Sequence, residues 1–259
     1  MPDPLLSAIA DIVAEAGRLA VRASERGFKH WEKEPGQPLS DVDLAVNDML
    51  RHRLTNLVPE AGWLSEESVD DVDRLDRDLV WIIDPIDGTR DFVRGRRGWS
   101  ISVGLVRHRR PWLAVLDAPA LGLVYRAEAG KGTQLNGVPT QASQRTEFPG
   151  SRVPADDLPR IDDDLVAVTK PNSIALRIAM VATNHADLVA SIRWGHEWDL
   201  AAAALIASEA GATVTDALGE PLRFNSPDAA AFGVLASAPG IHQAALERLT
   251  ERAKSALIV

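Results

Sequence analysis

The sequence LVWIIDPIDGTRDF (residues 79–92) places five apolar residues directly before two acids, a glycine and a threonine. An uninterrupted apolar run of this length predicts a strand that is covered on both faces. Such strands end in the crevice where open α/β sheets bind ligands, so we expect Asp84 at that edge. Pro85 favours an extended Asp84 and predicts the end of the strand ladder. Gly88 permits a tight turn that brings Asp87 back beside Asp84.

Two carboxylates in one small volume favour a bound cation. Like charges a few ångströms apart raise each other's pKa unless a cation neutralises them, and oxygen-rich clusters suit Mg²⁺. Asp84 and Asp87 therefore predict a metal site for phosphate chemistry. A purely structural interpretation stays open, because Asp-Pro and Asp-Gly are ordinary turn dipeptides. The aspartyl-phosphate phosphatase motif Asp-x-Asp-Gly-Thr is disfavoured, because here the acids are three positions apart.

The composition limits the class of protein. The chain has 259 residues, of which 46% are hydrophobic and 25% charged, as in a globular protein of one large or two small domains. A formal net charge of −9 opposes a nucleic acid polymer or an anionic membrane as the main partner. The absence of cysteine excludes disulfides, thiolate nucleophiles and Cys-ligated zinc. With no signal segment or long apolar helix, the sequence predicts a cytoplasmic chain without integral membrane contact.

The first quarter of the chain predicts two helices and a loop. Apolar residues recur at helical spacing from Pro4 to Arg26. The proline- and glycine-rich stretch 31–38 predicts a loop. A second helix is expected from 40 to 57, and the spacing of Ser40 and Asp43 is that of a helix cap, which gives Asp43 a structural interpretation. By the same local logic, the adjacent acids at 66–67 are typical of a solvated turn.

The rest of the chain predicts a β-rich meander followed by mixed structure. Strands are expected at about 100–106, 112–116, 122–127 and 131–135, and then at 165–169, 188–192, 213–215 and 232–236. Helices are expected at 173–182, 198–210 and 241–253. The polar, proline-rich stretch 138–164 is the expected junction between an N-terminal and a C-terminal lobe. Asp199 stands where a helix N-cap would, which is its local structural interpretation.

Taken together, three ordered motifs resemble the inositol monophosphatase superfamily of Mg²⁺-dependent, Li⁺-sensitive phosphatases. They are Glu66-Glu67, Asp84 to Phe92, and Trp198 to Ala202 with Gly211 downstream. The resemblance is nearly full-length. It implies an α+β fold, a layered αβαβα sandwich of the sugar-phosphatase type found in inositol monophosphatase and fructose-1,6-bisphosphatase. It also implies lobes at 1–140, with most metal ligands, and 141–259, with Asp199 and substrate contacts, forming one catalytic unit.

The resemblance further implies a metal centre with two or three Mg²⁺ ions. Glu66, Asp84 and the backbone carbonyl of Ile86 would hold one ion. A second would be held by Asp84, Asp87 and Asp199, and two ions about 3.5–4 Å apart can activate water and stabilise the departing oxygen. Mn²⁺ is expected to substitute for Mg²⁺, and Li⁺ to inhibit. Only the resemblance brings Asp199 to the other acids.

The same resemblance assigns the catalytic and phosphate-binding groups. The Thr89 hydroxyl, paired with Asp43, would position the attacking water, and Glu67 would assist. Backbone N–H groups at Gly88 and Thr89 would bind phosphate oxygens. Asp87 and Asp199 would also contact the substrate, and no covalent phosphoenzyme is expected.

Departures from the family pattern point to a substrate. Ile192 stands where inositol monophosphatases carry an acid that binds ring hydroxyls, so inositol loses support. The segments 88–92 and 197–199 are similar to those of bacterial nucleotidases that remove the 3′-phosphate of adenosine 3′,5′-bisphosphate. The basic loop that follows, with Arg94 and Arg97, suits a substrate with two phosphates. We therefore favour adenosine 3′(2′),5′-bisphosphate.

Several alternatives stay open at this point. Inositol 1-phosphate, fructose 1,6-bisphosphate, NADP and histidinol phosphate are other candidate substrates of the same chemistry. A non-catalytic interaction protein is disfavoured, because the set of acids is intact. The expected partner is a small phosphorylated metabolite, and a homodimer is a candidate assembly.

Overall fold

The structure, a computed structural model, describes residues 3–257. Its α-helices are α1 (Pro4–Arg26), α2 (Asp41–Leu57), α3 (Thr89–Val93), α4 (Ile174–Ala182), α5 (Glu197–Glu209) and α6 (His242–Leu257). Its strands are β1 (His30–Glu34), β2 (Gln37–Ser40), β3 (Gly62–Ser65), β4 (Leu79–Asp87), β5 (Ser100–Arg107), β6 (Arg110–Ala118), β7 (Leu123–Glu128), β8 (Gly132–Leu135), β9 (Val138–Thr140), β10 (Arg152–Pro154), β11 (Val166–Val168), β12 (Leu188–His196), β13 (Thr213–Thr215) and β14 (Ala230–Ser237). Short 3₁₀ turns cover Val72–Asp76, Arg160–Asp162 and Pro239–Ile241.

The apolar run that opens the sequence argument forms β4, inside a seven-stranded sheet of order β3-β4-β5-β6-β7-β8-β9. In this sheet β3 and β4 are parallel, and the other neighbouring strands are antiparallel. Antiparallel neighbours can be joined by hairpins, so spatial order follows chain order. The predicted meander is confirmed.

Both faces of β4 are covered, as its continuous apolar run predicts. Val80 and Ile82 belong to a core shared with α4 and α5. Trp81 and Ile83 belong to a second core shared with α1 and α2. Since successive strand side chains point to opposite faces, the four residues divide equally between these cores.

The helices and sheets form five layers. Helices α1 and α2 lie on one face of the seven-stranded sheet, and α4 and α5 lie on the other. Beyond α5 lies a three-stranded sheet of order β12-β14-β13. In β14, Val234 and Ala236 pack in the core of α5, whereas Leu235 packs with Ala245 and Leu249 of α6. The expected layered αβαβα sandwich is therefore confirmed.

Helix α5 is the middle layer, and its alanines let it approach the larger sheet closely. A Cβ atom on Gly104 of β5 would lie only 3.3 Å from the Cβ of Ala201 and from the backbone nitrogen of Ala202. Such a contact is tighter than ordinary van der Waals packing, so a side chain at position 104 would push α5 outward. The small residues therefore fix the height of α5, which carries Asp199, above the sheet.

Two local expectations differ from the structure. The β4 ladder does not stop at Pro85: Asp84 pairs with Ser102, the register shifts, and pairing resumes between Asp87 and Ser100. The predicted loop at 31–38 is a β-hairpin formed by β1 and β2. All residues of β1 are exposed, so no apolar alternation marks it as a strand.

Other expected elements are confirmed with small changes of boundary, including α1, α2, α4, α5 and α6. The turn between β8 and β9 is formed by Asn136 and Gly137, whose φ angles of 50° and 80° are those of the Asn-Gly hairpin turn. Within residues 3–257, no helix combines the length and apolar character that a membrane crossing requires.

The buried acid Asp117 leads to a prediction about how stability depends on pH. Asp117 of β6 is 4% exposed beneath Gly17 of α1, where a Cβ atom would lie 2.5 Å from Asp117 Oδ2. Burial raises the pKa of Asp117 to about 6, against the opposing effect of Arg18. The folded state therefore favours the protonated form, and stability is lost as the pH rises from about 4 through about 6.

We expect Asp117→Asn to remove this pH dependence. Between pH 4 and pH 7.5 the free energy of unfolding of the natural chain should fall by about 2–3 kcal/mol relative to the variant, since one pKa unit corresponds to about 1.4 kcal/mol. Urea unfolding of both proteins across this pH range measures the difference. A constant difference would show that Asp117 does not titrate in this range.

Candidate active site and metal centre

Three of the four acids predicted to bind metal meet at the end of the central strand. Asp84 and Asp87 lie in the last residues of β4, and Asp199 lies in the first turn of α5. One carboxylate oxygen from each residue lies within 4.8 Å of the others. Asp84 and Asp87 are buried, and Asp199 is partly exposed. The convergence that only the family resemblance implied is therefore present in the fold.

Burial, with added electrostatic repulsion, makes this cluster of carboxylates unfavourable without a cation. Burial raises the pKa of Asp84 well above its usual value, and the nearby charges of Glu66, Asp87 and Asp199 raise it further. Burial also raises the pKa of Asp199 strongly, with added repulsion from Asp87 and Glu66. A cation between these oxygens would relieve the repulsion, and carboxylate oxygens are the donors that hard divalent cations prefer. The donor set therefore fits Mg²⁺.

Asp87 is held in place by the N-terminus of α4. It accepts hydrogen bonds from the Ser173 hydroxyl at 2.5 Å and from the backbone N–H of Ala175 at 2.7 Å. Burial raises the pKa of Asp87 to about 6, and these hydrogen bonds work in the opposite direction. This role of Ser173 is not predicted by the sequence motifs. Its position as the N-cap of α4 is the signal that could have indicated it.

Asp43 caps α2, as its local interpretation predicts, and it also contacts Thr89. Its carboxylate forms the capping box of α2 with the backbone N–H and hydroxyl of Ser40. The Thr89 hydroxyl lies 3.2 Å from Asp43 Oδ1 and 2.9 Å from the carbonyl oxygen of Ile86. Burial is the main reason why the pKa of Asp43 is raised. The structural role therefore leaves the second oxygen directed at Thr89.

A lysine that the sequence argument overlooked lies against the adjacent acids. Lys33 Nζ, on the β1–β2 hairpin, is 2.5 Å from a Glu67 oxygen and 3.3 Å from a Glu66 oxygen. Burial raises the pKa of Glu67 to about 7, although Lys33 acts against this shift. The solvated-turn interpretation is therefore wrong for Glu67, whose side chain is 6% exposed. The polar hairpin carries no motif that could have marked Lys33.

The interpretation of Asp199 as the N-cap of a helix is wrong. The N-cap of α5 is His196, and Asp199 occupies the third helical position, where its carboxylate accepts a hydrogen bond from the backbone N–H of His196 at 3.3 Å. The rings of His196 and Trp198 stack with their centroids 4.3 Å apart. This capping arrangement directs Asp199 toward the end of β4 and not toward solvent.

The site opens into a cavity of about 410 Å³. Its walls include the acids, the Ile86-Gly88-Thr89 turn and the hairpin, and its lining residues are Lys33, Gly36, Gln37, Pro38, Glu66, Asp84, Ile86, Asp87, Gly88, Thr89, Arg90, Asn172, His196, Trp198 and Asp199. Gly88 adopts φ of +90°, and a Cβ atom there would lie 2.8 Å from the backbone nitrogen of Ser173. Only glycine fits this turn without strain.

Two residues expected to bind substrate lie elsewhere. Arg94 and Arg97 are exposed and do not line this cavity. The Arg97 guanidinium donates a hydrogen bond of 2.6 Å to the carbonyl of Ala120. Their role in substrate binding therefore stays a prediction, and the arginine that lines the cavity is Arg90, which donates to the carbonyl of Gly36.

With this fold and this acidic centre, the chain falls in the class of hydrolases that act on phosphoric monoesters. The model of the inositol monophosphatase family matches residues 1–256, and the chain belongs to this family. The family is Mg²⁺-dependent, in agreement with the oxygen donors of the site. The chain is thus a phosphatase of small phosphorylated substrates.

Known relatives differ in the substrates after which they are named. A 3′(2′),5′-bisphosphate nucleotidase CysQ of Aggregatibacter actinomycetemcomitans is 29% identical over 85% of this chain and 87% of its own length. A histidinol-phosphatase of Chlorobaculum parvum is 30% identical over 83% of this chain and 87% of its own. The solved structure of the IMPase of Thermotoga maritima has a TM-score of 0.83 and 25% identity, covering 95% of this chain and 97% of its own.

The burial of Asp84 and its repulsion by neighbouring acids lead to a prediction about the stability of the metal-free protein. Asparagine has the same shape and keeps an acceptor for the backbone N–H of Ile86, which lies 3.0 Å from Asp84 Oδ1. At pH 8 we expect Asp84→Asn to raise the unfolding temperature in a chelating buffer by at least about 2–4 °C, the shift that about 1 kcal/mol gives in a protein of this size. Stabilisation by added Mg²⁺ should be lost.

Scanning calorimetry with and without Mg²⁺ measures both effects. Asp48→Asn, at an exposed position on α2, is the matched control and should change neither. Because Asp84 has a raised pKa, the advantage of the variant should shrink as the pH falls and the natural carboxyl takes up a proton. A lower unfolding temperature for Asp84→Asn at pH 8 would contradict the electrostatic account.

Proposed function

We propose that the chain is a Mg²⁺-dependent phosphomonoesterase that hydrolyses a small phosphorylated metabolite by attack of water, with adenosine 3′(2′),5′-bisphosphate as the favoured substrate. The observation that carries this proposal is that the Asp84-Asp87-Asp199 cluster shares a cavity with Thr89, whose hydroxyl lies against Asp43. Metal ligands and a path for a proton are thus adjacent.

In this proposal Glu66, Asp84 and the carbonyl of Ile86 would hold one cation, and Asp84, Asp87 and Asp199 a second, with a third, weaker position near Asp43. When bound, such cations stabilise the negative charge of the phosphate and acidify bound water. We further propose that Mn²⁺ substitutes for Mg²⁺ and that Li⁺ inhibits. All the named side chains but Asp43 line the cavity.

The chain's own groups would move the proton that the attacking water loses. As water adds to phosphorus and the ester P–O bond breaks, the Thr89 hydroxyl accepts a proton from the water and passes its own to Asp43. Burial raises the pKa of Asp43, which makes its carboxylate a better proton acceptor than an ordinary aspartate. Glu67, with a pKa of about 7, lies in the same acidic group and would assist. The departing oxygen takes a proton from solvent.

The phosphate would lie against the turn after β4. Gly88 and Thr89 line the cavity at the start of α3, and we propose that their backbone N–H groups bind phosphate oxygens. The left-handed Gly88 supports this, because it turns the chain without placing a side chain between the backbone and the ester.

The nucleotide substrate is supported by the residue at position 192. Ile192 lies in β12 and its side chain packs against the apolar clusters beside α6, so this position offers no acceptor to the hydroxyls of a polyol. The organisation in lobes 1–140 and 141–259, a homodimer and a cytoplasmic location remain predictions of the proposal.

A substrate panel at fixed Mg²⁺ tests the function. We expect phosphate release from adenosine 3′,5′-bisphosphate to exceed that from inositol 1-phosphate, fructose 1,6-bisphosphate, NADP and histidinol phosphate. Loss of a group that only orients a metal ligand typically costs about 10–100-fold in activity. Asp199 is a proposed ligand itself, so Asp199→Asn should reduce the rate by at least that factor. Asp48→Asn again serves as the exposed control. If no ester yields phosphate in a Mg²⁺-dependent way, a non-catalytic interaction protein becomes the better account.

Substitutions at Thr89 test the proton path. Thr89→Val keeps the shape but removes the hydroxyl, and we expect it to lower kcat by about 10²–10⁴-fold, the usual contribution of positioned acid–base groups. Thr89→Ser keeps the hydroxyl and should stay within about tenfold of the natural enzyme, on the same argument. Mg²⁺ affinity, measured by calorimetry, should be similar in both variants. Equal loss of kcat in the two would exclude the hydroxyl as the proton carrier.

A further inference from the structure

Glu197, the first residue of α5, is a buried acid with no part in the proposed metal binding or proton transfer. Its side chain has no exposed surface. Of the three consecutive residues Glu197, Trp198 and Asp199, the second and third line the active-site cavity and the first does not. Charged side chains are rarely buried unless the fold supplies partners for them. The partners of Glu197 therefore indicate what it does.

The carboxylate of Glu197 is bound by the loop that precedes β14. Its Oε2 accepts a hydrogen bond from the backbone N–H of Asn225 at 2.5 Å. Its Oε1 accepts hydrogen bonds from the backbone N–H of Ser226 at 2.8 Å and from the Ser226 hydroxyl at 2.5 Å. Hydrogen bonds to a charged acceptor are roughly twice as strong as neutral ones, so these contacts attach the first turn of α5 to the loop.

The same loop is held on another side by Arg74. This residue lies in the 3₁₀ turn after β3 and is 1% exposed. Its Nη1 donates to the side-chain oxygen of Asn225 at 2.6 Å and to the carbonyl oxygen of Ser226 at 3.0 Å. Its Nε and Nη2 donate to the two carboxylate oxygens of Asp70 at 2.6 and 2.8 Å. One buried guanidinium therefore joins Asp70 to the loop that binds α5.

These contacts connect the two parts of the chain that bring acids to the metal centre. Asp70 belongs to the segment that carries Glu66, whose backbone N–H donates to the carbonyl of Ile83 in β4 at 3.2 Å. Glu197 belongs to the helix that carries Asp199. Buried polar networks whose members all have partners make a fold rigid. The network therefore fixes the separation of two segments that are distant in sequence.

The attachment of Glu197 also sets the rotation of α5 about its own axis. Glu197 and Asp199 are two positions apart in the first turn, so their side chains point to opposite sides of the helix, roughly 200° apart at about 3.6 residues per turn. When Glu197 is bound to the loop, Asp199 therefore faces the other way. That direction leads to Asp84 and Asp87 at the end of β4.

We infer that Glu197 is a positioning residue for the metal centre: its contacts with the loop at 225–226 hold Asp199 in the orientation that a cation shared with the acids of β4 requires. The inference rests on the proposed function, because it takes Asp199 to be a metal ligand. Groups that orient metal ligands usually form a hydrogen bond to the ligand itself. Here the orientation is transmitted through the backbone of one helical turn.

Uptake of Mn²⁺, followed by the electron paramagnetic resonance signal of the free ion, tests the inference without turnover. Glu197→Gln keeps the shape of the side chain and removes its charge. We expect it to weaken uptake at the position that Asp199 shares by about 10–100-fold, as for other groups that orient metal ligands.

Glu209→Gln is the matched control. Glu209 ends the same helix, and its carboxylate accepts hydrogen bonds from the backbone N–H groups of Gly130 and Gly132 at 2.8 Å each. Its substitution should destabilise the fold and leave Mn²⁺ uptake unchanged. Equal losses of Mn²⁺ affinity in Glu197→Gln and Glu209→Gln would overturn the inference.

A double variant separates orientation from a general loss of stability. If Glu197 acts through Asp199, then adding Glu197→Gln to Asp199→Asn should change the remaining Mn²⁺ affinity by less than about twofold, because residues that act as a unit are not additive. The unfolding temperature should still fall in the double variant. Additive losses of Mn²⁺ affinity would contradict the inference.

Ser226→Ala tests the same contact with a milder loss of stability. It removes one hydrogen bond and leaves the charge of Glu197 in place. We expect it to weaken Mn²⁺ uptake by about two- to 30-fold, the range for residues that act on a ligand through other residues. An unchanged affinity in this variant would reject the inference even if Glu197→Gln does not fold.

Phosphate release from the same proteins separates the inference from the proposed function. If Glu197→Gln releases phosphate with the same Mg²⁺ requirement as the natural chain, the inference is overturned and the function stands. Weakened Mn²⁺ uptake without phosphate release from any ester supports the inference and rejects the function. A natural chain that takes up no Mn²⁺ overturns both.

Discussion

The repulsion among Asp84, Asp87 and Asp199 is the constraint on which the rest of the structure depends. Three carboxylates converge where two of them are buried; burial is the main cause that raises the pKa of each, and repulsion raises the pKa of Asp84 and Asp199 further. The fold offsets part of this cost by directing the N-terminus of α4 at Asp87. The remaining repulsion is the feature that suits the site to divalent cations, so stability and function oppose each other at this point.

Local sequence patterns were sufficient to predict much of this fold. The run at 79–83 predicts a strand covered on both faces, and the two cores confirm it, because side-chain alternation needs no information from elsewhere in the chain. The helical spacing in α1 and the Asn136-Gly137 turn were equally readable, since each depends on neighbouring residues only. The β1–β2 hairpin was not, because its exposed polar strands carry no apolar alternation.

The candidate site was likewise predictable from local sequence only in part. Asp84 and Asp87 are close in sequence, so their proximity followed from turn chemistry, whereas the approach of Asp199 depends on how α5 packs between the sheets. No spacing rule encodes that packing, and the family resemblance supplied it. Ser173 and Lys33 could not be predicted for the same reason: each acts through a contact with a distant element. The basic loop at 94–97 follows the metal motif directly in sequence, but Arg94 and Arg97 do not line the cavity beside that motif.

The close packing of α5 between the two sheets limits how the ester can enter the site and how the phosphate can leave it. The helix is sealed between two sheets, with Gly104 on one side and Val234 and Ala236 on the other. Parting these layers would hydrate apolar surface on both sides of α5, at roughly 25 cal/mol for every Å² exposed. Separation of the two sheets is therefore an unfavourable way for substrate to enter and product to leave. Exchange with bulk water through the mouth of the cavity, which the exposed β1–β2 hairpin lines, needs no such separation of layers.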